Sequence, residues 1–202
     1  SAFSLTAIEL LEKINMPAWK VASGEVNNFS LLKKLSHTKK PILLSTGMSS
    51  FDDITNAIKF IEAEGVQDIA LFQCTTEYPT SLEKVGINVM KELENKFSRP
   101  VGLSDHSGEI APSIYAIANG ASIIEVHIAL HSYQFGPDTI ASLKPEDLKV
   151  LADFRDKFHI MKNNPVDKDK AAFGLKEMST LFGKSLSLKR DQKKGTVLKE
   201  NM

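Results

Sequence analysis

Five short apolar runs, each ending in a cluster of polar residues, constrain this chain more than any other feature. They are 19–25, 41–48, 69–79, 101–106 and 121–127, and segments of helical period lie between them. Short apolar runs bounded by turn residues and separated by amphipathic stretches predict parallel strands joined by right-handed helical crossovers. That repeat puts the C-terminal end of every strand on one face, and in a β/α barrel active sites are built on that face. The polar clusters are therefore expected to converge in space.

The helical segments carry their own punctuation. Ser4 suits the N-cap of a helix over 4–14, which Pro17 breaks, and Phe29, Leu32 and Leu35 share one face of a helix over 28–36. Ser50 to Asp53 resembles a capping box with Asp in place of Glu, ahead of the stripe Ile54, Ala57, Ile58 and Ile61. Further helices are predicted over 86–96, 110–119 and 144–160, and strands over 18–22, 41–45, 68–74, 100–103 and 121–127. The end of one more strand is read in Ser1–Phe3. A closed eight-stranded barrel typically takes about 250 residues. With five clear strands, either the sheet is smaller and open, or the first part of a barrel is missing.

Composition narrows the function. The 202 residues carry 25 basic and 25 acidic side chains, a balance that disfavours nucleic acid or another polyanion as partner. Cys74 is the only cysteine, so no internal disulfide can form, which fits a cytoplasmic setting. No apolar run approaches the roughly 20 residues of a membrane span and no signal peptide opens the chain, so no membrane partner is expected.

His106 and His127 end consecutive strands. Neutral imidazoles are good ligands for Mn, Fe or Zn, and Asp105, Glu125 and Asp138 are close in sequence. The pair reads either as a shared divalent-ion site or as two unrelated histidines. Lys20, Ser23 and Glu25 share one strand-end turn suited to a phosphate or carboxylate, with Glu25 a general acid/base or hydroxyl binder. Alternatively, Lys20 snorkels and Glu25 is solvated. Ser45 to Ser50 opens a helix, where anions are attracted, although ordinary capping explains it equally. Ser104, Asp105 and His106 are adjacent and cannot form a hydrolase relay, which needs side chains from separate parts of a fold. Thr75, Thr76 and Tyr78 offer hydroxyls to a polyol. Cys74 reads as a buried strand residue, and His37, His131 and His159 as surface or packing residues.

Taken together, the strand ends resemble the sialic acid synthase family, which condenses phosphoenolpyruvate with N-acetylmannosamine or a related sugar. The resemblance rests on Lys20 to Asn28, Leu44 to Met48, Cys74 to Pro79, Gly102 to Ser107, Gly120 to His127, and Gly136 to Asp138 followed by Ser142 and Leu143. It implies a partial (β/α)8 TIM barrel, about strands 4–8, over residues 1–162. A linker over 163–183 and the beginning of a C-terminal antifreeze-like domain over 184–202 follow, the latter as a hairpin. It implies His106 and His127 as metal ligands, holding Mn, or Mg or Co in its place. It implies Lys20, Ser23, Ser45 and Ser104 around the phosphate or carboxylate of phosphoenolpyruvate. Glu25, Tyr78 and Asp138 would face the N-acyl amino sugar, and Asn27 and Thr76 would also bind substrate. Glu25, His106 and His127 would be the catalytic residues, and the full-length family implies a homodimer.

Three departures stand out. Val126 replaces a family Lys or Arg, Thr76 stands where several members carry Asn, and Thr139 where many carry His. These point to a sub-branch acting on a pseudaminic or legionaminic acid precursor. Aligned with the family, the chain is expected to be truncated at both ends. It would lack an early glutamate and lysine of the site and an arginine supplied by a partner subunit. The alternatives are a catalytically incompetent fragment that keeps only the metal and anion pocket, and another phosphoenolpyruvate-using barrel synthase.

Overall fold

The computed structural model describes residues 1–199. Six parallel strands lie in the order of the chain: β1 (Trp19–Val21), β2 (Ile42–Ser45), β3 (Ile69–Cys74), β4 (Val101–Asp105), β5 (Ile124–Ile128) and β6 (Ser142–Leu143). Helices α1 (Leu5–Glu12), α2 (Phe29–His37), α3 (Phe51–Ala63), α4 (Ile87–Phe97), α5 (Ile110–Ala118) and α6 (Pro145–Asn163) alternate with them. The result is a curled parallel half-barrel of α/β type. Registers such as Lys20 opposite Leu43, Ser45 opposite Phe72, and Ser104 opposite Glu125 align the strand ends.

Side-chain alternation divides each strand between two faces. Outward residues Trp19, Val21, Ile42, Leu44, Ile69, Leu71, Val101 and Leu103 form the core with α1 to α4. The Trp19 indole N–H donates to Thr38 Oγ1 at 2.8 Å, giving this buried ring its polar partner. Ile117, Leu143 and Leu151 form a second cluster, with Ile124, Val126, Phe154 and Phe158 against it. Inward residues include Lys20, Ser45, Phe72, Ser104, Glu125 and His127. Gly102 faces inward too, and a Cβ there would lie 2.3 Å from the Ile123 carbonyl oxygen and 3.0 Å from the Phe72 ring.

Helix starts follow the local chemistry. At α3 the Ser50 hydroxyl caps the Asp53 amide while the Asp53 carboxylate accepts from the Ser50 amide, so Asp does complete the box. Ser4 caps α1 and Asn28 caps α2. α6 is the one helix that runs well past its expected end, to Asn163.

Four expectations are corrected. Ser1–Phe3 forms no strand, although Ala2 is buried. The fifth strand starts at Ile124, not 121: the Ser122 amide already donates to the Val101 carbonyl, but the paired register begins with Leu103 opposite Ile124. The sheet has six strands, not five: β6 is two residues long and is made by pairing His127 with Ser142 and Ile128 with Leu143. Among the described residues, the alternating segment 184–190 forms no strand and no hairpin follows; alternation alone does not make a strand without a neighbouring ladder.

The chain divides into two compact units, Ser1–Ile160 and the part from Met161 onward. In the second, the stretch read as a linker contains α7 (Lys168–Gly174) and α8 (Lys176–Phe182), with the Asp167 carboxylate capping α7. Residues 184–199 have no regular structure, and residues 200–202 of the expected antifreeze-like segment lie outside the described residues. No helix among the described residues is long and apolar enough to cross a membrane.

Candidate active site

Lys20 reaches across the concave face of the sheet. Its ammonium donates to Ser45 Oγ at 2.7 Å and lies 3.1 Å from Glu125 Oε1. The same Glu125 oxygen accepts from Ser104 Oγ at 2.7 Å, and Lys20 Nζ sits 5.3 Å from the centre of the Phe72 ring. β1 and β5 are separated by three strands, so in a flat sheet they would be about 19 Å apart. An extended lysine and glutamate together cannot span that distance. The ion pair is therefore direct evidence of the curl, and curvature brings Lys20, Ser45 and Ser104 together.

Ser23 lies in a short 3-10 turn after β1, Ser23–Glu25. Its hydroxyl accepts from the Gly47 amide at 3.0 Å and lies 3.6 Å from Cys74 Sγ. A Cβ on Gly47 would stand 2.5 Å from Thr76 Oγ1, 2.9 Å from Ser23 Oγ and 3.0 Å from Cys74 Sγ. Glycine is thus what lets the loops after β1, β2 and β3 meet, and Ser23 and Thr76 come within reach of the same small space.

The two histidines converge. The rings of His106 and His127 are 5.2 Å apart, centre to centre, and nearly perpendicular. His106 Nδ1–H donates to the Thr75 carbonyl at 2.8 Å, so in the neutral ring Nε2 carries the lone pair, 3.2 Å from the Tyr78 hydroxyl. Metal-binding histidines commonly have such a carbonyl behind them. Tyr78 stacks on His106 at 4.1 Å and meets His127 edge-on at 5.6 Å. Its loop is tied down by the Thr80 amide donating to the His106 carbonyl and the Thr80 hydroxyl donating to the Glu77 carbonyl. Asp138 Oδ2 lies 3.7 Å from His127 Nδ1. Among the described residues no group of three or more His, Cys, Asp or Glu side chains is placed to hold a metal. The two rings brought together are imidazoles, side chains that could supply two ligands to a divalent metal.

Several expected residues face elsewhere. Glu25 accepts from the Asn28 amide at 2.7 Å, and Asn27 donates to Asp53 at 3.3 Å, both in exposed positions. Asp105, a metal candidate on sequence grounds, is on the opposite face of β4. There its carboxylate accepts from the Ser107 amide and hydroxyl. Val126 packs outward against the second core cluster. His37 is exposed beside Glu64.

The site perturbs its own titration. Burial works against the Cys74 thiolate, but hydrogen bonds with His106 and Ser23 outweigh it and hold the thiol below its ordinary range. Burial disfavours the His106 imidazolium, yet Cys74 and the Thr75 carbonyl outweigh that and hold it above the usual histidine range. Burial pushes the Tyr78 phenol up, and negative charge on Cys74, Asp138 and Glu125 adds to it. Burial also lifts the Asp105 carboxyl against its Ser107 hydrogen bonds.

Sequence reasoning missed Glu125 as a member of the anion cluster. Part of the signal was available: period-2 alternation puts Glu125 on the His127 face, and the register places it directly opposite Ser104.

Residues 1–165 match the NeuB family. The chain is 36% identical over 200 residues to the N,N'-diacetyllegionaminic acid synthase of Campylobacter jejuni, covering 98% of this chain and 59% of that protein. It is 36% identical over 146 residues to the N-acetylneuraminate-9-phosphate synthase of Homo sapiens, covering 72% and 40%. The chain spans about half the length of the curated relatives it matches. The N-acetylneuraminic acid synthetase of Leptospira borgpetersenii, solved in complex with citrate, superposes with a TM-score of 0.79 at 23% identity. That match covers 91% of this chain and 64% of that one, a likeness of fold. With the family matched over both the half-barrel and every strand end that bears the site, the chain belongs to the NeuB family of sialic acid-type synthases.

Proposed function

We propose that this chain carries most of the site that condenses phosphoenolpyruvate with an N-acyl amino sugar aldehyde to a nonulosonate, releasing phosphate. The observation that carries the reading is that one concave face bears both the Lys20–Ser45–Ser104 cluster and the His106–His127 pair. Lys20 and the hydroxyls of Ser23, Ser45 and Ser104 bind the phosphate or carboxylate of phosphoenolpyruvate. Such donors, already fixed before ligand arrives, stabilise developing charge without reorganising. Tyr78, Asp138 and Thr76 face the sugar; Glu25, the candidate general acid/base, and Asn27 would have to leave Asn28 and Asp53 to reach substrate.

His106 and His127 would hold a divalent metal, Mn first and Mg or Co as alternatives, which when bound polarises the aldehyde oxygen of the open-chain sugar. Carbon 3 of phosphoenolpyruvate forms the new bond to the aldehyde carbon, water adds at carbon 2, and phosphate leaves. We further propose a pseudaminic or legionaminic acid precursor as the sugar. The sequence from residue 184 as the opening of an antifreeze-like domain and a homodimer, both by resemblance, and a cytoplasmic location, which the lone cysteine fits, complete the reading.

The test is phosphate release from phosphoenolpyruvate with Mn and a panel of N-acyl sugars, run on this chain and on a version extended upstream. Release dependent on one sugar supports the synthase. A second reading, a pocket that binds without turnover, is favoured by the outer edges of β1 and β6, which pair with no strand among the described residues. Phosphoenolpyruvate binding with no release in either version would select it; no binding at all would reject both.

A further inference from the structure

The Lys20 ammonium and the Ser104 hydroxyl, two of the groups assigned above to an anion, are both satisfied by a single carboxylate oxygen, Glu125 Oε1, at 3.1 and 2.7 Å. That oxygen is chemically what a substrate phosphate or carboxylate would present. The Glu125 side chain is 39% exposed, so it has room to move, whereas Lys20 at 16% is held by Ser45 and lies over Phe72. An ammonium with a carboxylate against it has little net attraction for a second anion, because the two negative charges repel across a few ångströms.

We propose that Glu125 is a positioning residue that occupies the anion subsite on Lys20 and Ser104 in the free protein. It thereby sets the affinity of that subsite for phosphate and carboxylate groups. The inference rests on the reading of Lys20 and Ser104 as anion ligands. While the subsite is empty, Glu125 keeps the ammonium and the hydroxyl aimed at one point. A ligand must displace the carboxylate or share its partners, so a small anion with one point of attachment binds weakly. A ligand with a second attachment elsewhere on the concave face recovers the difference.

The experiment is calorimetric titration of inorganic phosphate and of phosphoenolpyruvate into the chain and into its Glu125→Gln, Glu125→Asp and Lys20→Met variants. It is done at constant pH and low ionic strength, with circular dichroism to verify folding. Glu125→Gln should tighten phosphate binding about fivefold, the scale of one unit charge a few ångströms away in a solvated site. The gain should shrink as salt is added, a dependence that a packing role would not produce. Glu125→Asp, which keeps the charge but withdraws it, should fall between the two, and it decides the matter if the Gln variant does not fold. Unchanged or weaker phosphate binding in the folded Glu125 variants, with Lys20→Met abolishing it, would overturn the role of Glu125 and leave the anion site standing. Unchanged binding in Lys20→Met would instead remove the anion site itself.

Discussion

At the scale of single residues, the site depends on contacts that sequence order only partly announces. His106 and His127 were recognisable as a pair from their positions at consecutive strand ends, and their rings do meet. The expected consequence is that Mn binds the chain and binds the His106→Ala, His127→Ala double variant at least tenfold more weakly, as loss of metal ligands should require. Equal affinity by titration would sink the pair as a metal site. Gly47 makes a second expectation. Its missing Cβ is the space into which Thr76, Ser23 and Cys74 crowd, so Gly47→Ala should cost about 1–3 kcal/mol, the usual range for overpacking. Combining it with Thr76→Ala should recover part of the loss in urea unfolding, because the nearest clashing atom is then gone. Glu125 was legible only in part: alternation puts it on the His127 face, but its contact with Lys20 depends on β1 curling toward β5, a distance that no local pattern encodes.

At the scale of elements, legibility followed hydrophobic period and capping. α2 and α3 were readable because their apolar stripes and caps agree: α2 lies within a residue of its expected bounds and α3 starts directly after the expected Ser50 cap. β6 was not, since two residues carry no period and the strand exists only through its ladder to β5. The converse holds at 184–190, where alternation was present but no strand forms among the described residues. The α3 cap gives a pH dependence. The Ser50 hydroxyl and amide, with the Asn27 amide, hold the Asp53 carboxyl below its ordinary value of 3.8. Its contribution to stability is therefore fully present above that value and is lost as the pH falls through the lower folded value. Thermal melts should show a drop on acidification that is smaller in Asp53→Asn, which starts from a lower melting temperature; identical acid slopes would exclude Asp53 from it. β4 and β5 also approach too closely for a side chain at Gly102. Gly102→Ala presses on the Ile123 backbone as well as the Phe72 ring and should be more damaging than Gly47→Ala, whose neighbours are side chains that can yield.

At the scale of the whole molecule, the half-barrel ends in two strands whose outer edges find no partner among the described residues. Unpaired edges invite pairing with another chain. Light scattering should show concentration-dependent association of this chain, and a monomer that stays monodisperse across concentrations and melts cooperatively would contradict it. The Lys20–Glu125 contact acquires a further meaning here. It is a chord drawn across the arc of the sheet, tying its first strand to its fifth, so a bound anion that loosens the chord also relaxes the arc. Recognition and curvature then share one mechanical coordinate. Removing Lys20 should lower both ligand affinity and melting temperature, while removing the Ser104 hydroxyl, which ties only neighbouring strands, should lower affinity and leave the melt nearly where it was.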